Sequence, residues 1–126
     1  MTLDNEIDNL FNYCVMDFTV IAHAVEVDHG IKRLSMRFIK KYAAPERDRL
    51  SAALREQISQ ELDAQGLMTL PRTLPPSENE FVFVIQKDSP LGQVLALANV
   101  AAAMERAGAN PPGIFDRFPE ALKHLA

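Results

Sequence analysis

Hydrophobic positions recur at spacings of three and four residues through the first half of the chain, and this rhythm predicts helices. Leu3, Ile7, Leu10, Cys14, Phe18, Ile21 and Val25 form one face of a helix over residues 3–28, because the spacing matches 3.6 residues per turn. Asp4, Glu6 and Asp8 fall in its first turns, where negative charge suits the helix dipole. Val15, Met16, Val20 and Val27 add apolar positions on other faces, which implies cover from several sides. Gly30 supplies the stop. A second helix over residues 31–43 carries Ile31, Leu34, Phe38 and Tyr42 along one side. Pro45 suits an early position of a third, over residues 46–65, with the stripe Leu50, Leu54, Ile58 and Leu62 and a stop at Gly66.

The rhythm changes after the proline-rich stretch LPRTLPPSEN, residues 70–79. EFVFVIQ, residues 80–86, is β-branched and aromatic without alternation, the pattern of a strand buried on both faces. A lone strand leaves its backbone groups unpaired. Either LMTL, residues 67–70, pairs with it as a hairpin, or a second copy of the chain supplies the partner. Ser89 and Pro90 open a fourth helix over residues 90–107, closed by Gly108. Gly92, Ala96, Asn99, Ala103 and Ala107 make a narrow ridge of small residues along it. Another helix could approach that ridge closely, within the chain or across a dimer. The tail IFDRFPEALKHLA, with Phe115, Phe118, Leu122 and Leu125, predicts a short docking helix.

The expected fold class is therefore α+β, predominantly α. Four to five helices pack with a small two-stranded hairpin or a dimer-completed sheet. A chain of 126 residues, 48% hydrophobic and 24% charged, has the size and composition of one ordered globular domain. Its parts are a helical half (1–66), a proline-rich connection (67–79) and a strand–helix half (80–126). No apolar run reaches the roughly 18–20 residues that cross a bilayer. MTLDNEID carries acids where a secretory signal carries Lys or Arg. The single cysteine, Cys14, excludes an intramolecular disulfide and a multi-cysteine zinc site. These features point to a cytoplasmic protein with no membrane association.

Charge changes the picture. The net charge is −4, which argues against indiscriminate coating of polyanions. The distribution along the chain is strongly uneven. Residues 1–30 hold six acids and no Lys or Arg, residues 31–55 hold eight basic residues and two acids, and the remainder holds five basic and nine acidic residues. On a wheel for the second helix Arg33, Arg37, Lys40 and Lys41 cluster opposite its apolar side. Four cations so close repel one another unless something negative answers them. Acids of the first helix are one source, and a polyanion or an acidic surface on a protein partner is the other.

Two helices, then ELDAQGLMTL, a loop and EFVFVI, across residues 31–87, resemble a winged helix-turn-helix. The resemblance implies a recognition helix running into a two-stranded wing, with Arg47, Arg49, Arg55 and Gln57 toward the major groove and Arg72 at the wing tip on phosphate or minor groove. This chain departs from that pattern in the acids Glu56, Glu61 and Asp63 on its third helix.

Other candidates for chemistry reduce to structural roles. Asp17 is the single charge in YCVMDFTVIAHAV, so a partly buried pair with Arg33 or Arg37 is expected. Cys14 lies on the apolar stripe without a basic neighbour to activate it. His23, His29 and His124 have no metal-ligand spacing, and the five glycines form no phosphate loop. His29 falls near a helix C-terminus, where the dipole favours a protonated imidazole. The expected function is a non-catalytic binding or regulatory module without cofactor or metal. Its protein partner meets Arg33, Arg37, Lys40 and Lys41, and homodimerisation is a further expectation. A DNA-binding regulator is the alternative, and an enzyme centred on Asp17 or Cys14 the third class.

Overall fold

A computed structural model describes residues 16–109 and 115–125. Cys14 and the first half of the expected first helix lie outside them. The elements in order are α1 (Thr19–Val27), β1 (Ile31–Ser35), α2 (Met36–Ala43), α3 (Ala52–Ala64), β2 (Leu67–Leu70), β3 (Phe81–Gln86), α4 (Pro90–Arg106) and α5 (Pro119–His124).

Three serines set where extended backbone turns into helix. Ser35, Ser51 and Ser89 each hold a β-region conformation, and their hydroxyls accept the backbone N–H of Phe38, Leu54 and Gly92 at 3.0, 3.1 and 3.0 Å. Each thereby satisfies one orphan donor of the helix it precedes, a cap that contributes about 1 kcal/mol. Pro90 at the start of α4 fits a position whose N–H has no intrahelical use.

Ser35 corrects the expected second helix, which starts at residue 36 rather than 31. Residues 31–35 are a strand instead. They pair antiparallel with β3, Ile31 opposite Ile85 and Ser35 opposite Phe81, while β2 pairs along the other edge, Leu67 opposite Gln86. The sheet is thus three-stranded in the order β1-β3-β2, not a two-stranded hairpin, and β3 finds both partners within the chain. The expected helical phase shifts with the boundary. Met36, Ile39 and Ala43 are the buried side of α2, and Tyr42 is 37% exposed. The third helix likewise starts at its serine, at residue 52 rather than 46, and buries Leu54, Ile58 and Leu62 as its stripe implies.

Two clusters pack on opposite faces of the sheet. Ile21 and Val25 of α1, Met36 and Ile39 of α2, Leu54, Ile58 and Leu62 of α3 and Leu74 gather over Leu34, Leu67, Val82 and Val84. Burial of each such side chain contributes about 1.5–3 kcal/mol. Leu95 and Ala102 of α4, with Leu125, lie over Met68 and Ile85. Because α4 covers only one end of β3, Phe81 and Phe83 stay 47 and 41% exposed. Burial on both faces of EFVFVIQ therefore holds at Val84 and Ile85 alone. Among the described residues, no helix is long and apolar enough to cross a membrane.

Candidate functional site

The join between β1 and α2 brings the basic residues to one margin of the sheet. β1 ends at the capping Ser35, two residues after Arg33, and α2 starts at Met36, so Arg33 is carried by the strand and Arg37, Lys40 and Lys41 by the helix. The turn at residues 77–80 closes on the same place. Its Glu80 and Glu78 carbonyls accept the N–H groups of Met36 and Arg37 at 2.8 and 3.0 Å, satisfying further orphan donors of α2.

Each of the four cations meets a group of this chain. The Arg33 guanidinium lies over the Phe81 ring, 3.9 Å from its centroid, and Arg33 is directly opposite Phe83 in the sheet register. Stacking on a ring face orients a cation without neutralising it. Arg37 donates from Nη2 to Asn79 Oδ1 at 2.8 Å, a neutral acceptor, so its charge is also retained. Lys40 is the more enclosed, with Glu78 at 3.7 Å. Lys41 Nζ stands 5.8 Å from the Tyr42 ring, and Tyr42 leans on Phe38 at 4.8 Å between centroids. The surface is thus cations interleaved with half-exposed aromatics. Sequence reasoning found the cations but missed Phe81 and Phe83, because a strand run without alternation reads as buried on both sides.

Acids of the chain's first part do not answer this stripe among the described residues. Asp28 meets Lys32 at 2.5 Å, outside the four. Asp17 corrects its expected burial and pairing: it is exposed, and its Oδ1 accepts the Thr19 N–H at 2.9 Å. Hydrogen bonding from Thr19, its side chain first and this N–H second, holds the carboxyl below the usual carboxylate range. His29 sits just beyond α1 as expected, though in the left-handed region at φ 63°.

The residues named for nucleic acid are dispersed by comparison. Arg47 and Arg49 are exposed in the link between α2 and α3. Arg55 instead folds back, donating to the Leu50 and Leu74 carbonyls at 3.3 and 3.1 Å, and so fastens two loops to α3. Gln57 is half-buried. Arg72 does not cap a projecting tip, because the loop that bears it folds inward. Its N–H donates to the His124 carbonyl at 2.9 Å, and Leu74 two residues on is buried. Arg72 and Arg55 share a cavity of about 330 Å³ with Glu56 and Ser59. The exposed positions of α3 include Glu56, Gln60, Glu61 and Asp63.

The ridge of small residues on α4 also divides. Gly92 is buried against the β3–α4 turn, whereas Ala96, Asn99 and Ala103 line an open groove of about 560 Å³ with Met68, Arg72, Asp63 and Lys87. No helix lies in that groove among the described residues. Nor is there a group of three His, Cys, Asp or Glu placed to hold a metal among them. No family model matches the chain, and neither the curated proteins nor the solved structures give a significant match.

Proposed function

We propose that the chain is a non-catalytic, cytoplasmic protein-binding module that engages an acidic partner through the β1–α2 margin. The stack of Arg33 on a half-exposed Phe81 carries this reading. Arginine and aromatic side chains dominate the energetics of protein interfaces. Here a neighbouring ring fixes an arginine in place before binding, so less rotamer freedom is lost on contact. Arg37 beside it is oriented by Asn79 without losing charge, and Lys41 and Tyr42 extend the surface.

The test is capture from a cell extract by immobilised wild-type protein and by a variant with Arg33→Glu, Arg37→Glu and Lys40→Glu, partners being identified by mass spectrometry. The wild type should retain a stoichiometric partner that the variant loses, with affinity reduced some 30-fold or more, the scale of a hot-spot contact. Unchanged far-ultraviolet circular dichroism shows that the fold is kept. Undiminished capture by the folded variant overturns the proposal.

A DNA-binding regulator is the second reading, supported by the sequence of two helices and a β-hairpin from α2 to β3 and by exposed Arg47 and Arg49. The acids on α3 weigh against it, since they face where phosphate would approach. Anisotropy of a labelled duplex at about 50 and 200 mM salt separates the two readings, because phosphate contacts weaken steeply over that range.

A further inference from the structure

We infer that the chain forms a two-fold homodimer through the outward side of α4, with Leu97 beside the symmetry axis. Leu91, Val94, Leu97, Val100 and Met104 project to solvent from this helix at 46, 62, 71, 58 and 43% exposure. Their spacing of three and four residues keeps them on one half of the helix. Gly92, Leu95 and Ala102 occupy the other half and are buried. Five large apolar side chains in one stripe, about 20 Å long at 1.5 Å per residue, exceed the scattered exposure usual for a surface.

Charge selects the occupant. The stretch PLGQVLALANVAAAM, residues 90–104, has no Asp, Glu, Lys, Arg or His, in a chain that is 24% charged. The stripe itself offers an acidic or basic partner no charge to answer; Asp63, Arg72 and Lys87 stand beside it in the groove that Val100 lines. A helix lying on a lipid surface carries Lys or Arg along its polar side, whereas the polar side chains of this stretch are Gln93 and Asn99. A second copy fits. In a two-fold interface a patch meets itself, so an uncharged patch avoids like-charge repulsion.

Exposure is highest at Leu97 and falls toward both ends of the stripe, so Leu97 has the most surface to bury. An axis near Leu97 sets Leu91 of one copy against Met104 of the other. It also opposes the two helix dipoles and brings exposed Asp88 of one copy near the end of the other that carries Arg106. That arginine is held in place by the carbonyls of Leu125 at 2.9 Å and Leu122 at 2.5 Å.

Analytical ultracentrifugation of wild type and Leu97→Glu at about 1–100 μM, where mass action favours association, tests the assignment. The wild type should sediment at twice the 14.1 kDa chain mass. Leu97→Glu should raise the dissociation constant roughly 100-fold or more, the scale of two juxtaposed like charges. Unchanged far-ultraviolet circular dichroism of Leu97→Glu is the control that the fold is kept. In a Cys14→Ser background, Leu97→Cys should oxidise to a covalent dimer, whereas Val27→Cys, 74% exposed on α1, should not. A wild-type monomer throughout the range overturns the inference, as would follow if another segment covered the stripe. So does a dimer that survives Leu97→Glu or that Leu97→Cys fails to cross-link. The inference does not rest on the β1–α2 margin, whose variants leave α4 untouched.

Discussion

His29 occupies a backbone position that suits glycine. Its N–H donates to the Glu26 carbonyl at 3.1 Å, and the Gly30 N–H donates to the Val25 carbonyl at 2.9 Å. This is a Schellman closure of α1 with histidine in the left-handed slot at φ 63°. The side chain there costs about 1 kcal/mol. His29→Gly should therefore raise stability by about 0.5–1 kcal/mol, read as a shift of the urea midpoint at constant slope. A second single-residue effect is electrostatic. The Lys87 ammonium bonded to Asp63 holds that carboxyl below its usual value of 3.8. A depressed folded value means stability that is present above the unfolded pKa and lost as pH falls through the folded one. Both side chains are well exposed, 39 and 52%, so the pair contributes less than about 1 kcal/mol. In a carbon-detected titration the Asp63 midpoint should lie below 3.8 and move up toward it in Lys87→Met.

Elements succeed or fail at their ends. Gly92 shows why α4 can start so close behind β3. A Cβ there would stand 2.0 Å from the Gln86 carbonyl oxygen and 2.8 Å from that of Lys87. Both are backbone atoms that no rotamer change can move aside. Gly92→Ala should cost at least about 2 kcal/mol as the turn is forced apart, measured by chemical denaturation. The same substitution at Gly66, where nothing lies within 4 Å of the added carbon, meets no clash and strains only the positive φ. The ends also explain what could be read in advance. The fourth helix was legible because Ser89–Pro90 and Gly108 mark both its limits. The second was misplaced because Ile31, Leu34 and Phe38 keep helical spacing across a strand–helix join. Five residues are too few for periodicity to tell the two conformations apart. Ser35 was the available signal, as a capping residue inside an otherwise continuous pattern.

At the scale of the molecule the fold class was legible and the sheet was not. Helical stripes report which residues are inside, but not that β3 lies between two strands, one of them 46 residues back at Ser35. The candidate site inherited that error. Four cations on one helix became one on a strand and three on a helix, and the aromatic surface beside Arg33 depended on a pairing that no local pattern encodes. The order β1-β3-β2 also constrains how the molecule is made. During synthesis β1 and β2 leave the ribosome first, each with no strand of its own to pair with, and neither can be completed until residues 81–86 emerge. Until then the helices α1, α2 and α3 lack the part of their floor that Val82 and Val84 supply between Leu34 and Leu67. Assembly therefore waits for the last strand, and a nascent chain stalled with residues 1–80 clear of the exit tunnel and β3 still inside it should expose both unpaired strands to whatever factor guards the tunnel exit.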